Sequence, residues 1–171
     1  MEIAIRNKWI TLGGSSVVKT LDGKDLLQVK GKIFTWTRKK IIQDMDGNTL
    51  FIVRNKFWRL FVHRAFVMDP NNEVLCTVKK KFWAIRDKLL LENSQMGEIM
   101  IDGNMLGYNY HIYKDGVEVG HVARKISMRD SYVLTINDDE NWQFFVALVI
   151  ALDNITDQRR QEAQDSSWSS D

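Results

Sequence analysis

Nine consecutive apolar residues decide the fold: Phe144-Phe145-Val146-Ala147-Leu148-Val149-Ile150-Ala151-Leu152. A helix that is apolar on every side is buried in a protein core or lies in a membrane. A membrane-spanning helix needs about 20 apolar residues, whereas Asp153 ends this run. The run therefore predicts a buried helix over residues 140–155 and no transmembrane span. A short membrane-inserting segment is the alternative interpretation.

The sequences on either side of this run set the limits of the domain. The acidic stretch 137–140 precedes it, and acidic and amide side chains suit a helix N-terminus, where the first N–H groups lack partners. Residues 156–171 are polar apart from Trp168. We therefore predict one domain over residues 1–155 that includes the central helix, followed by a flexible polar tail over 156–171.

Turn signals recur through the preceding sequence at intervals of 22 to 24 residues. Asp-Gly between alternating apolar residues is a strong hairpin signal, because both residues accept the backbone conformation of a tight turn. The signals are Asp22-Gly23, Asp46-Gly47, Asp69-Pro70-Asn71-Asn72, Asn93-Ser94, Asp115-Gly116 and Asp138-Asp139. A repeat of this length predicts a regular series of hairpins.

Twelve strands fit between these turns, because β-branched and aromatic residues alternate with polar ones there. The predicted strands are 3–12, 15–20, 25–30, 38–44, 49–54, 60–68, 73–79, 86–91, 96–102, 108–114, 117–123 and 131–136. Short connections make neighbouring strands antiparallel, and a barrel of twelve strands leaves a lumen that must be filled. The predicted fold is all-β with one helix: a twelve-stranded closed antiparallel β-barrel around a buried C-terminal apolar α-helix.

Composition limits the class of protein. The chain has 171 residues, a net charge of +2 and 44% hydrophobic residues, which suits one globular domain. Its single cysteine, Cys76, cannot form an internal disulfide, and the first residues lack the pattern of a signal peptide. We therefore expect a cytoplasmic protein, for which peripheral association with a membrane stays an option.

The charge is unevenly distributed, since residues 30–88 carry 14 basic and 5 acidic side chains. Such a stretch can attract an anionic surface of phospholipid or nucleic acid, or it can form a solvated barrel face rich in lysine. Within it, basic residues adjoin tryptophans at strand ends, a combination that suits the headgroup region of a bilayer. The candidate residues for binding an anionic surface are Lys39, Lys40, Lys56, Trp58, Arg59, Lys79, Lys80, Lys81 and Trp83. Alternatively, the aromatic rings pack inward while the cations stay in water.

No catalytic residue, metal ligand or cofactor is predicted. His111 and His121 can meet across the Asp115-Gly116 hairpin, but two histidines without a third ligand are a weak zinc signal and favour ordinary strand surface. Cys76 has no histidine nearby in sequence, which favours a buried structural cysteine over a nucleophile. Asp44, Asp46 and Asn48 have the spacing of a calcium loop, but the sixth and twelfth positions lack its Gly and Glu. A hairpin turn explains them better.

The chain resembles the LURP-one-related family, which is grouped with tubby C-terminal domains and phospholipid scramblases, and it is most similar to the family's small bacterial members. The resemblance covers roughly residues 3–155. It is carried by Phe34 to Gly47 with Gln43-Asp44-Met45-Asp46-Gly47-Asn48, by Lys56-Phe57-Trp58 and Lys81-Phe82-Trp83, by Tyr110 to Gly116, and by Phe144 to Leu152. It implies a twelve-stranded barrel around a C-terminal helix, with no defined molecular role.

Three hypotheses for the function follow, none of them enzymatic. Tubby-like domains tether to membranes through phosphoinositide headgroups, so the resemblance and the basic stretch favour a module that binds anionic phospholipid. The second hypothesis is a scaffold that binds an unknown protein and no small ligand. Nucleic-acid binding comes last, because the overall charge is nearly balanced.

Overall fold

The protein was studied as a computed structural model, which describes residues 1–6, 15–31, 39–56, 62–81, 88–92, 94–105, 107–124 and 131–168. These residues form twelve strands and one helix. The elements are β1 (Glu2–Arg6), β2 (Ser15–Thr20), β3 (Asp25–Gly31), β4 (Lys40–Gln43), β5 (Thr49–Asn55), β6 (Val62–Met68), β7 (Val74–Lys81), β8 (Lys88–Leu90), β9 (Ile99–Asn104), β10 (Asn109–Lys114), β11 (Val117–Arg124), β12 (Ser131–Ile136) and α1 (Trp142–Trp168).

The strands form one antiparallel sheet that curls into a nearly closed barrel. Its spatial order is β7-β6-β5-β4-β3-β2-β1-β12-β11-β10-β9-β8, so each strand pairs with its neighbours in sequence except across β7 and β8, and β1 also pairs with β12. The two edge strands, β7 and β8, meet at a seam, where Thr77 pairs with Glu92 through backbone hydrogen bonds of 2.8 and 3.0 Å. The predicted twelve-stranded barrel is confirmed.

The predicted Asp turns lie at one end of the barrel, called here the hairpin end. In the turn between β4 and β5, Oδ1 of Asp44 accepts hydrogen bonds from the N–H groups of Asp46 and Asn48, at 3.0 and 2.8 Å. The Nδ2 of Asn48 donates to Oδ2 of Asp44 at 2.8 Å. Gly47 follows with a φ of 90°, a conformation that glycine adopts readily. The hairpin interpretation of this segment is therefore confirmed, since both Asp44 oxygens hold the turn.

One strand begins later than its alternating pattern predicts. The predicted strand 96–102 is β9, which starts at Ile99, because residues 95–97 form a turn. Gly97 takes a φ of 97° there and packs against the Asp115 carboxylate, which also accepts a 2.8 Å hydrogen bond from the N–H of Glu98. The second half of the predicted first strand, residues 7–12, lies outside the described residues.

The apolar run lies inside the barrel, as predicted. Residues 144–152 are each at most 3% exposed and share one hydrophobic core with the inward-facing residues of the strands. The helix packs on β5, β6, β7 and β12, and the ring of Phe144 meets that of Phe51 edge-on at 6.2 Å. Within the described ranges, no helix is both long enough and apolar enough to cross a bilayer.

Both ends of the helix differ from their predictions. Asn141 caps the start, because its Oδ1 accepts a 3.1 Å hydrogen bond from the N–H of Phe144. The acidic residues before it form ion pairs instead, Glu140 with Lys114 at 2.8 Å and Asp138 with the N-terminal ammonium at 2.9 Å. The helix also continues to Trp168 rather than ending near residue 155. Residues 157–164 include Gln, Arg, Glu and Ala, which favour helix once a buried segment has nucleated it.

Candidate anion-binding surface

Of the predicted surface residues, Lys39, Lys56 and Lys79 lie toward the end of the barrel opposite the hairpins, called here the corner end, where β3, β5 and β7 finish. Lys39 is half-buried just before β4, Lys56 is exposed just after β5, and Lys79 lies half-buried on β7. Lys80 and Lys81 belong to β7 by their backbone, and their side chains are outside the description. Trp58, Arg59 and Trp83 lie outside the described residues. The predictions for these five stay predictions.

Four cations form a basic band on the outer face of three adjacent strands: Arg54, Lys56, Arg64 and Lys79. Arg54 and Lys56 are exposed, and they flank Asn55, which faces the core. Arg64 lies beside both lysines of the band, because its C=O accepts a 2.9 Å hydrogen bond from the N–H of Lys56 and it pairs with Lys79 in the β6–β7 register. Three positive residues therefore lie side by side on neighbouring strands, about 5 Å apart at each step.

Neighbouring side chains orient the cations of the band. The guanidinium carbon of Arg54 lies 5.9 Å from the centroid of the Phe66 ring, within the range of a cation–π contact. The Nζ of Lys79 donates a 2.8 Å hydrogen bond to Oε1 of Glu92 across the seam. That hydrogen bond lowers the pKa of Glu92, with smaller electrostatic contributions from Lys79 and Arg64. Glu92 therefore offsets part of the positive charge of the band at its β7 side.

Lys40 does not belong to this surface, so its prediction as a surface residue is wrong. Its side chain is buried and lies on the same face of β4 as Ile42, whose side chain is fully buried in the core. The Nζ of Lys40 lies 3.8 Å from Oδ2 of Asp153 on α1. The physical reason is the register of β4, which places every second residue in the lumen. A prediction from the charge of Lys40 alone, without knowledge of which β4 residues point inward, places its side chain in solvent.

Asp153 is the centre of a buried polar cluster at the corner end of the lumen. Its Oδ1 accepts a 2.7 Å hydrogen bond from the hydroxyl of Tyr108, whose ring stacks on Tyr132 with centroids 4.6 Å apart. Burial raises the pKa of Tyr110 well above its ordinary value, and the charge of Asp153 adds to this effect. Sequence reasoning treated Asp153 only as the end of the apolar run. A signal was present, since Asp153-Asn154 directly follows nine apolar residues within a helical segment.

Comparison with known proteins identifies the family. The LURP-one-related family model matches residues 1–153. The chain belongs to the LURP-one-related family. This LURP-one-related domain also matches the crystal structure of a protein from Arabidopsis thaliana, with a TM-score of 0.63 and 21% sequence identity over 90% of each chain. That similarity supports the fold. No curated protein matches the sequence.

The remaining candidate residues of this LURP-one-related domain lie apart from the basic band. Cys76 is buried on β7, and burial raises the pKa of its thiol to about 12. The interpretation as a buried structural cysteine is confirmed. His111 and His121 face each other directly in the β10–β11 register, so they meet across the Asp115-Gly116 hairpin as expected. In the described part of the chain, no set of three or more His, Cys, Asp and Glu side chains is arranged to hold a metal ion.

Proposed function

We propose that this domain is a non-enzymatic module that binds anionic phospholipid headgroups at a membrane surface through the basic band. The observation that carries the proposal is the row formed by Lys56, Arg64 and Lys79 on three adjacent strands. Like charges directly opposite each other destabilise a sheet. Glu92 balances Lys79 across the seam, so an external anion at this surface would balance Lys56 and Arg64.

The chemistry of the band fits phosphate. Neighbouring strands lie about 5 Å apart, so two adjacent cations of the band can contact the same phosphate group. The Nε of Arg64 is buried and makes no hydrogen bond among the described residues. Each Lys or Arg near an anionic membrane contributes about 1 kcal/mol to binding.

The test is co-sedimentation with vesicles of phosphatidylcholine alone or with phosphatidylserine added, at low and at physiological salt. We expect binding to the anionic vesicles only, and weaker binding at the higher salt, because salt screens exposed charges. The variant Lys56→Gln/Lys79→Gln removes two cations from the band. At about 1 kcal/mol each, its partition coefficient should fall roughly 30-fold.

The matched control is Lys24→Gln/Arg124→Gln, which removes the same charge from two exposed positions outside the band. It should reduce binding much less than the band variant does. Equal losses in the two variants would show that net charge, rather than the band, drives binding. Absence of vesicle binding at both salt concentrations would overturn the proposal. Capture of a partner protein would then support the scaffold hypothesis, and capture of a single-stranded nucleic acid would support nucleic-acid binding.

A further inference from the structure

Two histidines face each other on the outer surface, on the side of the barrel formed by β9, β10 and β11. His111 on β10 and His121 on β11 are directly opposite in the register, with ring centroids 6.0 Å apart and a tilt of 36° between the rings. Their strand neighbours Tyr110, Ile112 and Val122 are buried in the core. Alternation therefore places both imidazoles on the outer face, where a solute can reach them.

A carboxylate orients one of the two rings. The Nδ1 of His111 lies 2.8 Å from Oε1 of Glu118. An ionised carboxylate can only accept a hydrogen bond, so in the neutral imidazole this contact places the proton on Nδ1 and leaves the lone pair on Nε2. Metal-binding histidines are commonly held in this way, with one ring nitrogen donating to a carboxylate while the other binds the ion.

The distance between the rings suits a shared metal ion. A zinc–nitrogen bond of about 2.0–2.1 Å puts the ion roughly 3 Å from the centroid of each imidazole. Two rings that bind the same ion are then about 5–6 Å apart, close to the observed 6.0 Å. Asp102 of β9 lies opposite His111 on its other side, in the same row of residues across the sheet.

We infer that His111 and His121 form a surface site for a transition-metal dication such as Zn²⁺, with Glu118 as a positioning residue. Imidazole is a preferred ligand of Zn²⁺, Cu²⁺ and Ni²⁺. The described residues hold no set of three side chains that encloses an ion, so the site supplies two protein ligands and water completes the coordination. Such an open site binds weakly and reversibly, and it is separate from the basic band.

The inference is tested by titrating the full chain with Zn²⁺ in a calorimeter at pH 7.5, with ¹H–¹⁵N spectra of the histidine side chains recorded in parallel. We expect one ion per chain and shifts of the His111 and His121 ring signals. Binding should weaken as the pH falls, because protons compete for the imidazole lone pairs. The Glu118→Gln variant should bind about 10-fold or more weakly, as loss of a carboxylate behind a metal-binding histidine commonly does.

The variants His111→Asn and His121→Asn should each abolish saturable binding. The folding control is a circular dichroism spectrum of each variant without metal. The His111→Asn spectrum should match that of the wild type, because His111 is half exposed. Glu98→Gln, an exposed carboxylate outside the pair, is the matched control and should bind as the wild type does. An isotherm without saturation, or equal affinity in the double variant His111→Asn/His121→Asn, would overturn the inference.

Discussion

The Nζ of Lys40, the first residue of β4, lies 3.8 Å from Oδ2 of Asp153 in the interior of the barrel. Asp153 is 2% exposed and Lys40 is 9% exposed, so each charge depends on its protein partners. The pair joins the sheet to the central helix at the point where the apolar run ends. Together with the apolar packing of α1 on the strands, it contributes to the position of the helix in the lumen.

The first prediction concerns this ion pair. Asp153→Ala should lower the free energy of unfolding by about 3–5 kcal/mol, because it leaves a buried ammonium without its counter-charge. It also removes the acceptor of the Tyr108 hydroxyl. Urea denaturation followed by circular dichroism measures the loss. The double variant Lys40→Met/Asp153→Leu should recover most of the lost stability, because it buries no unpaired charge. A double variant as unstable as Asp153→Ala would contradict the role of the pair.

A second prediction concerns the close approach of β11 and β12. A Cβ added at Gly120 would lie 2.5 Å from the carbonyl oxygen of Thr135 and 2.8 Å from Cδ1 of Ile136. Gly120→Ala should therefore destabilise the barrel by about 1–3 kcal/mol, the usual range for overpacking. The control is Gly116→Asn, at a turn with open space and a φ of 81° that Asn tolerates. Equal melting temperatures for the two variants would contradict this account.

The third prediction is a dependence of stability on pH that comes from Asp44. Hydrogen bonds from Asn48, and then from other groups of the turn, hold the pKa of Asp44 below its ordinary value of 3.8. A carboxyl whose pKa is lowered by folding stabilises the folded state above its unfolded pKa, and this contribution disappears as the pH falls through the folded pKa.

The stability difference between wild type and Asp44→Asn should therefore be largest near neutral pH and should shrink below pH 3.8. Urea midpoints measured at several pH values between neutral and acidic conditions would show this. Asp46→Asn is the comparison, because Asp46 contributes its backbone N–H to the turn and the variant keeps the Asp44 acceptor. A difference for Asp44→Asn that is constant with pH would contradict the role of the carboxylate.

The fourth prediction concerns the thiol of Cys76. Burial raises its pKa from 9.0 to about 12, so almost no thiolate exists at neutral pH. Ellman's reagent should therefore label the Cys76 thiol rapidly in the unfolded chain in urea. Over the same time it should leave the native protein unmodified. Rapid labelling without denaturant would show that β7 opens at the seam with β8, or that the thiol is exposed.

The barrel could be predicted from the sequence because its signals are local. The alternation of apolar and polar residues, the recurring Asp turns and the run of nine apolar residues can each be recognised within a few positions. All three predict the same fold. The partners of Lys40 and Asp153 could not be predicted in this way, since 113 positions separate two residues that meet only after closure of the barrel. The row formed by Lys56, Arg64 and Lys79 likewise depends on the registers of three strands, which the spacing of turns does not define.

The order of the elements along the chain also affects how this protein can be made. The strand β1 pairs with β12, and the helix that fills the lumen follows β12. During synthesis the hairpins can form one after another, but their inward faces lack the helix on which they pack until α1 has left the ribosome. Such late, long-range contacts slow folding and leave apolar strands exposed to association. Expression of this barrel should therefore depend on how well its unfinished sheet is protected from neighbouring nascent chains.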